Sequence, residues 1–234
     1  MSLFADKIIS FNKSLKLDVD LPCNIRVMNP FQENAEALQV SSAFYKKFYS
    51  DTQKRKLILA INPGRYGAGV TGIPFTDTKR LEEKCGLTIQ DVSTHEPSSV
   101  FVYRMIDAWG GVDKFYGSFF INSICPLGFV RTNNHGREVN YNYYDSNELL
   151  EKILPFAAWA IEEYINMGCY TETCFCMGTG KNYKILKLIN DQHRFFKKIV
   201  PIEHPRYVIQ YKSGQMSGYI DKYVTLLGSS VRGL

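Results

Sequence analysis

Residues 57–61, Leu-Ile-Leu-Ala-Ile, form an unbroken apolar, β-branched run of strand length that stops abruptly at Asn62-Pro63-Gly64. Three further runs, 118–124, 173–177 and 198–202, read as strands in the same way. Between them, over 100–109, 148–167 and 182–190, apolar residues recur at helical spacing. Strands that alternate with helices predict a parallel sheet covered on both faces. The expected fold is therefore α/β, a three-layer α/β/α arrangement around a central, mostly parallel four-stranded sheet. Ahead of the first strand, helical patterns over 4–15 and 34–49 flank an irregular, proline-containing stretch at 22–30. No repeat, low-complexity tract or linker interrupts the chain, which reads as a single domain over 1–234. The Asn- and Tyr-rich segment 131–145 is the longest expected excursion, placed on the same rim as the Asn62 turn.

Composition narrows the classes. No run of 18 apolar residues occurs, which argues against a membrane span, and the first residues show no secretory pattern. The six cysteines, at 23, 85, 125, 169, 174 and 176, have no CxxC spacing and read as reduced thiols of an intracellular protein. Cys174 and Cys176 share a strand face, but two ligands make no metal site, and no metal or other cofactor is expected. A net charge of +5 is compatible with an anionic partner.

Candidate chemistry gathers at the strand ends, where open α/β sheets keep their ligand crevice. Asn62 places an uncharged amide at the end of the first run, and Gly64, Gly67 and Gly69 allow backbone N–H groups to approach a bound group. Asn122 and Ser123 end the second run. Strand geometry sends them to opposite faces, so at most one points into a given pocket, and either can instead cap the turn. The third run enters Gly178-Thr179-Gly180, an incomplete dinucleotide signature better suited to close strand–helix packing. The fourth ends at His204-Pro205, a backbone-restricted histidine open to a structural or an aimed role. Arg206, Tyr207, Tyr211 and Lys212 follow as a basic and aromatic interleave, suited to phosphate and base contacts or to a plain solvated surface.

In order and spacing these pieces resemble the uracil-DNA glycosylase superfamily, closest to its single-strand-selective monofunctional branch. The resemblance rests on Asn62-Pro63-Gly64 with Thr71-Gly72-Ile73-Pro74-Phe75, on Cys125-Pro126-Leu127, and on His204-Pro205. It implies a cofactor-independent monofunctional glycosylase of DNA, acting on a flipped deaminated base and leaving an abasic site, and a monomer. Asn62 would orient the attacking water, and His204 would donate a hydrogen bond to the departing base. Phe75 would stack on that base, and the turn Gly64-Arg65-Tyr66 would help hold it. Gly64 stands where another branch carries a pocket-narrowing tyrosine, which implies a roomier pocket. Two departures matter. Where the branch has a base-reading Asn two residues before Cys-Pro-Leu, this chain has Ser123, with Asn122 one residue earlier. A rotatable hydroxyl discriminates less than a fixed amide, so the expected range extends from uracil to hypoxanthine or xanthine. After His-Pro the branch has Ser-Pro-Arg, here replaced by Arg206-Tyr207-Val208, so the DNA-contacting loop is rebuilt around Arg206, Tyr207 and Lys212. No lysine falls on a matched catalytic position, so no Schiff-base step is expected. Two other classes stay open: a nucleic-acid-binding protein on the same fold without turnover, and a small-molecule enzyme using the Gly178 turn for phosphate.

Overall fold

The computed structural model describes residues 2–231. Its strands are β1 (Ile25–Met28), β2 (Arg55–Ala60), β3 (Phe119–Ser123), β4 (Gly128–Thr132), β5 (Glu138–Tyr141), β6 (Cys169–Met177) and β7 (Lys198–Ile202). Four of these form one sheet in the order β3-β2-β6-β7, and every pairing in it is parallel. All four carboxyl ends therefore open on one edge. The chain steps from β2 outward to β3 and later returns to the other side of β2 as β6, which places the topological switch at the end of β2.

Adjacent residues of β3 show how the layers form. Phe120 meets Phe4, Tyr49 and Tyr164 at ring-centroid distances of 5.5, 6.0 and 5.7 Å, so the helices Phe4–Ser14 and Asn147–Met167 cover that face. Phe119 meets Trp109 and Phe115 at 5.2 and 5.1 Å, so the helices Pro97–Trp109 and Val112–Ser118 cover the other. The period-two alternation of one strand thus builds both halves of the core. β2 is buried at all six positions, as a central parallel strand requires. Its first residue, Arg55, is tolerated at 0% exposure because Asp51 takes two of its guanidinium hydrogen bonds, at 3.0 and 2.7 Å, and the Tyr116 and Gln53 carbonyls take two more.

A second sheet corrects the sequence reading. The stretch 22–30 contains β1 and begins a short helix, Pro30–Glu33, and the excursion 131–145 is largely a hairpin. β1, β4 and β5 form an antiparallel three-stranded sheet in the order β1-β4-β5. Gly128 opens β4 because nothing larger fits: a Cβ there would stand 2.6 Å from the Pro63 carbonyl oxygen. The small sheet is thereby pressed against the turn that follows β2.

Truncation of Phe120 to Ala removes the ring on which the helices Phe4–Ser14 and Asn147–Met167 pack. The expected cost is about 3–5 kcal/mol, read as a lowered urea midpoint at unchanged slope.

Candidate active site

A cavity of about 490 Å³ lies at the carboxyl edge of the parallel sheet. Asn62, Gly64, Tyr66, Phe75, Ser123, His204, Arg206 and Tyr207 all line it, drawn from the ends of β2, β3 and β7 and from the loop through Phe75. Residues distant in sequence converge because the parallel strands deliver them to one edge.

Asn62 is held by its amide. Its Oδ1 accepts from the Tyr143 N–H at 3.1 Å, and its Nδ2 donates to the Tyr141 and Pro63 carbonyls at 3.3 Å each. The hairpin strand β5 and the residues after it therefore orient this side chain, with one Oδ1 lone pair left over.

His204 caps the helix Pro205–Tyr211, its Nδ1 accepting from the Arg206 N–H at 3.1 Å. A ring nitrogen that accepts carries no proton, so the neutral ring holds its proton on Nε2. Burial, reinforced by the Arg206 charge, pushes the imidazole down to about 4. The ring is thus a neutral N–H donor across the physiological range. Phe75 stands 5.9 Å from it, centroid to centroid, with the planes tilted by 56°. Phe75 has a positive φ of 53°, an unusual conformation for a bulky residue. Thr71 braces this loop by donating to the Thr76 carbonyl at 2.7 Å.

Several candidates lie elsewhere. Asn122 is absent from the cavity wall; its Oδ1 accepts from the Ser123 N–H at 2.8 Å, and it faces a small crevice with Asn12, Pro30 and Pro126. Strand alternation thus gives Ser123, not Asn122, to the cavity. Arg65 turns away, donating to the Glu138 carbonyl and lying over the Tyr66 ring, and its N–H is taken by Asn140 at 3.0 Å. Lys212 ends the helix Pro205–Tyr211 and is off the wall. The amides of Gly67 and Gly69 bond the Gly64 carbonyl, at 3.3 and 2.9 Å, rather than facing a ligand. The Gly178 turn also lies outside the cavity. Gly178 donates to the Ile202 carbonyl at 2.7 Å, and a Cβ on it would meet Asn182 at 3.1 Å, the close strand–helix packing expected of it.

Among the wall residues that sequence reasoning missed, Asn140 and Glu96 stand beside the Asn62 turn. Asn140 enters from β5, its Oδ1 holding Arg65 and its Nδ2 near Gly64. Glu96 enters from the residue that precedes the helix Pro97–Trp109. Glu96-Pro97 carries a helix-start signal, but nothing in the sequence ties it to the Asn62 turn. The tie is Asp77, two residues beyond Phe75, whose Oδ2 accepts from the Glu96 N–H and the Ser99 hydroxyl, each at 2.8 Å.

Residues 47–228 match the family described as the uracil DNA glycosylase superfamily. The chain belongs to that superfamily. Among solved structures, the crystal structure of wild-type Pedobacter heparinus SMUG2 is similar at 49% identity and a TM-score of 0.97, covering 99% of this chain and 100% of that one. No curated protein matches the chain. Membership makes the chain a DNA glycosylase of the uracil-DNA glycosylase type, a hydrolase of the bond between base and deoxyribose, with DNA as substrate. Among the described residues no helix is long and apolar enough to cross a membrane.

The state of His204 is directly measurable. The expected NMR titration has its midpoint near pH 4 and shows the Nε2–H tautomer at pH 6. An unfolded histidine takes its proton near 6.5, so this ring lowers native stability as pH falls from about 6.5 towards 4. A titration midpoint near 6.5 would contradict the burial.

Proposed function

We propose that this glycosylase releases uracil and other deaminated bases, including hypoxanthine or xanthine, from nucleotides flipped into the Asn62–His204 cavity. The observation that carries the reading is the convergence on one cavity of a backbone-clamped amide, a neutral N–H donor and an aromatic face. These are the three parts that hydrolysis without a cofactor needs. Asn62 cannot titrate, so it orients rather than deprotonates the attacking water through its remaining Oδ1 lone pair. As the C1′–N bond breaks, the electron pair leaves with the base, and the water oxygen forms the new bond to C1′. A proton from that water is lost to the surroundings, and the departing base is protonated in turn. His204 Nε2–H donates to a carbonyl of the base, where negative charge develops, and it does so without adding a full positive charge to a half-buried site.

Phe75 offers its ring to the extruded base. Gly64 leaves that end of the cavity open, since a Cβ there would meet nothing closer than 3.7 Å. Ser123 supports a broad substrate range because its hydroxyl can turn to donate or accept. Flipping costs on the order of a few kcal/mol in a duplex and less in a single strand. Arg206 and Tyr207 at the cavity mouth, with Tyr211 packed 5.7 Å from Tyr207, form an exposed ledge for the phosphate backbone and neighbouring bases, with Lys212 beyond it.

The test is release of base from labelled oligonucleotides that carry uracil, hypoxanthine or xanthine, in single and double strands. Asn62→Ala and His204→Ala are each expected to lower the single-turnover rate by about 10²–10⁴-fold while leaving binding largely intact. Release of uracil alone would confine the substrate range, and salt-dependent binding without any release would mark a binding protein on this fold.

A further inference from the structure

Glu96 has a place in the cavity that none of the roles above uses. Its Oε2 is shut away from solvent and has no hydrogen-bond partner. That oxygen sits so close to Gly67 that a Cβ there would come within 2.2 Å of it, so a side chain at 67 would displace the carboxyl from this position. Oε1 lies on the side of Gly64, 3.7 Å from where a Cβ of that residue would stand. The backbone leading to it is fixed by Asp77 through the 2.8 Å bond from the Glu96 N–H. A carboxyl is therefore aimed at the Gly64–Gly67 turn on the cavity wall, and one of its oxygens is already unpaired.

We propose that Glu96 is a base-contacting residue, which presents its carboxyl as a neutral acid and donates from Oε1 to a carbonyl of the flipped base. This rests on the glycosylase reading above. An ionised carboxylate at this position has no donor facing the sealed Oε2, and unpaired buried charge is costly. It would also repel the negative charge that gathers on the departing base, whereas the neutral acid stabilises it. A role in deprotonating the attacking water fits less well, because that water must lie beside Asn62, on the sugar side, and Oε1 lies beside Gly64.

Electrostatics agree with this placement. Burial first, and then the neighbouring Asp77 carboxylate, pushes the Glu96 carboxyl up to about 7. Asp77 is itself met by Arg80 at 3.3 Å and by His95 at 3.6 Å. The remaining charged or titratable groups on the cavity wall are His204, Arg206, Tyr66, Tyr141, Tyr207 and Tyr211; Arg65 is turned towards Glu138. The acid form is lost as pH rises through about 7, so base release weakens in that direction.

The experiment measures single-turnover release of uracil from a single-stranded oligonucleotide between pH 5.5 and 8.5 for wild type, Glu96→Gln and Glu96→Ala. Thermal melts verify that each variant is folded. Wild type is expected to slow about 30-fold between pH 6 and 8.5. Glu96→Gln keeps an N–H donor at every pH, so it loses this fall and overtakes wild type at pH 8.5. Glu96→Ala is slower than Glu96→Gln throughout. A second readout needs no turnover: affinity for an oligonucleotide with non-cleavable 2′-fluorinated deoxyuridine should weaken with rising pH in wild type and not in Glu96→Gln. Release that rises through pH 7 and vanishes in Glu96→Gln would make Glu96 a general base and overturn the proposal. Variants that keep the wild-type profile in both assays would overturn it as well. Absence of release by wild type at every pH would instead overturn the glycosylase reading, and the affinity assay would still decide whether Glu96 meets the base.

Discussion

The site depends on how a single amide is held. Asn62 follows a central strand and cannot set its own orientation, because a side chain with two free torsions at a strand end samples several rotamers. Three backbone groups, one N–H and two C=O, fix it, and two of them belong to the segment that leaves β5. The geometry of this cavity residue at the large sheet is therefore a property of the small one. The same segment supplies Asn140, which holds the Arg65 N–H and so the turn after Asn62. Glu138 accepts a bidentate contact from Arg26 of β1, at 2.9 and 3.1 Å, which links the outer strand of the hairpin to the third strand of its sheet. The pair is half exposed and contributes little stability by itself, but it fixes direction.

Legibility in the sequence followed locality. The central strand β2 was readable because burial on both faces demands a continuous apolar run, and the edge strand β7 was found at the residues it occupies, 198–202. Asn62, Ser123 and His204 were readable because a polar residue at the end of such a run stands out. β1 and β5 were not. Each is four residues long and only partly buried, and each gains its identity only by pairing with β4, which for β1 lies about a hundred residues away. Cross-strand partners of that separation leave no local periodicity to detect.

Side-chain direction had the same limit. Whether Asn122 or Ser123 enters the cavity is a matter of strand parity, and parity is set by the register of β2 against β3, where Ala60 pairs with Ser123. Glu96 was invisible for a different reason. Its polar neighbourhood, from Thr94 to Ser99, reads as a loop, and only the fold reveals that Asp77 gathers it to the motif containing Phe75. A motif read as five residues, 71–75, in fact acts through its sixth and seventh as well, Thr76 by its carbonyl and Asp77 by its carboxylate.

Phe75 carries one more consequence. A left-handed backbone at a bulky residue costs on the order of 1–3 kcal/mol and survives only where the surroundings over-determine it. Here Thr71, the Asp77 cap and the His204 ring supply that constraint. The ring is consequently immobilised during folding, before any nucleotide arrives. In the proposed reading an extruded base meets a surface whose rotational freedom has already been surrendered, so stacking on it would carry a smaller entropic penalty than stacking on a free side chain. On that reading the strained turn converts folding stability into readiness for the extruded base.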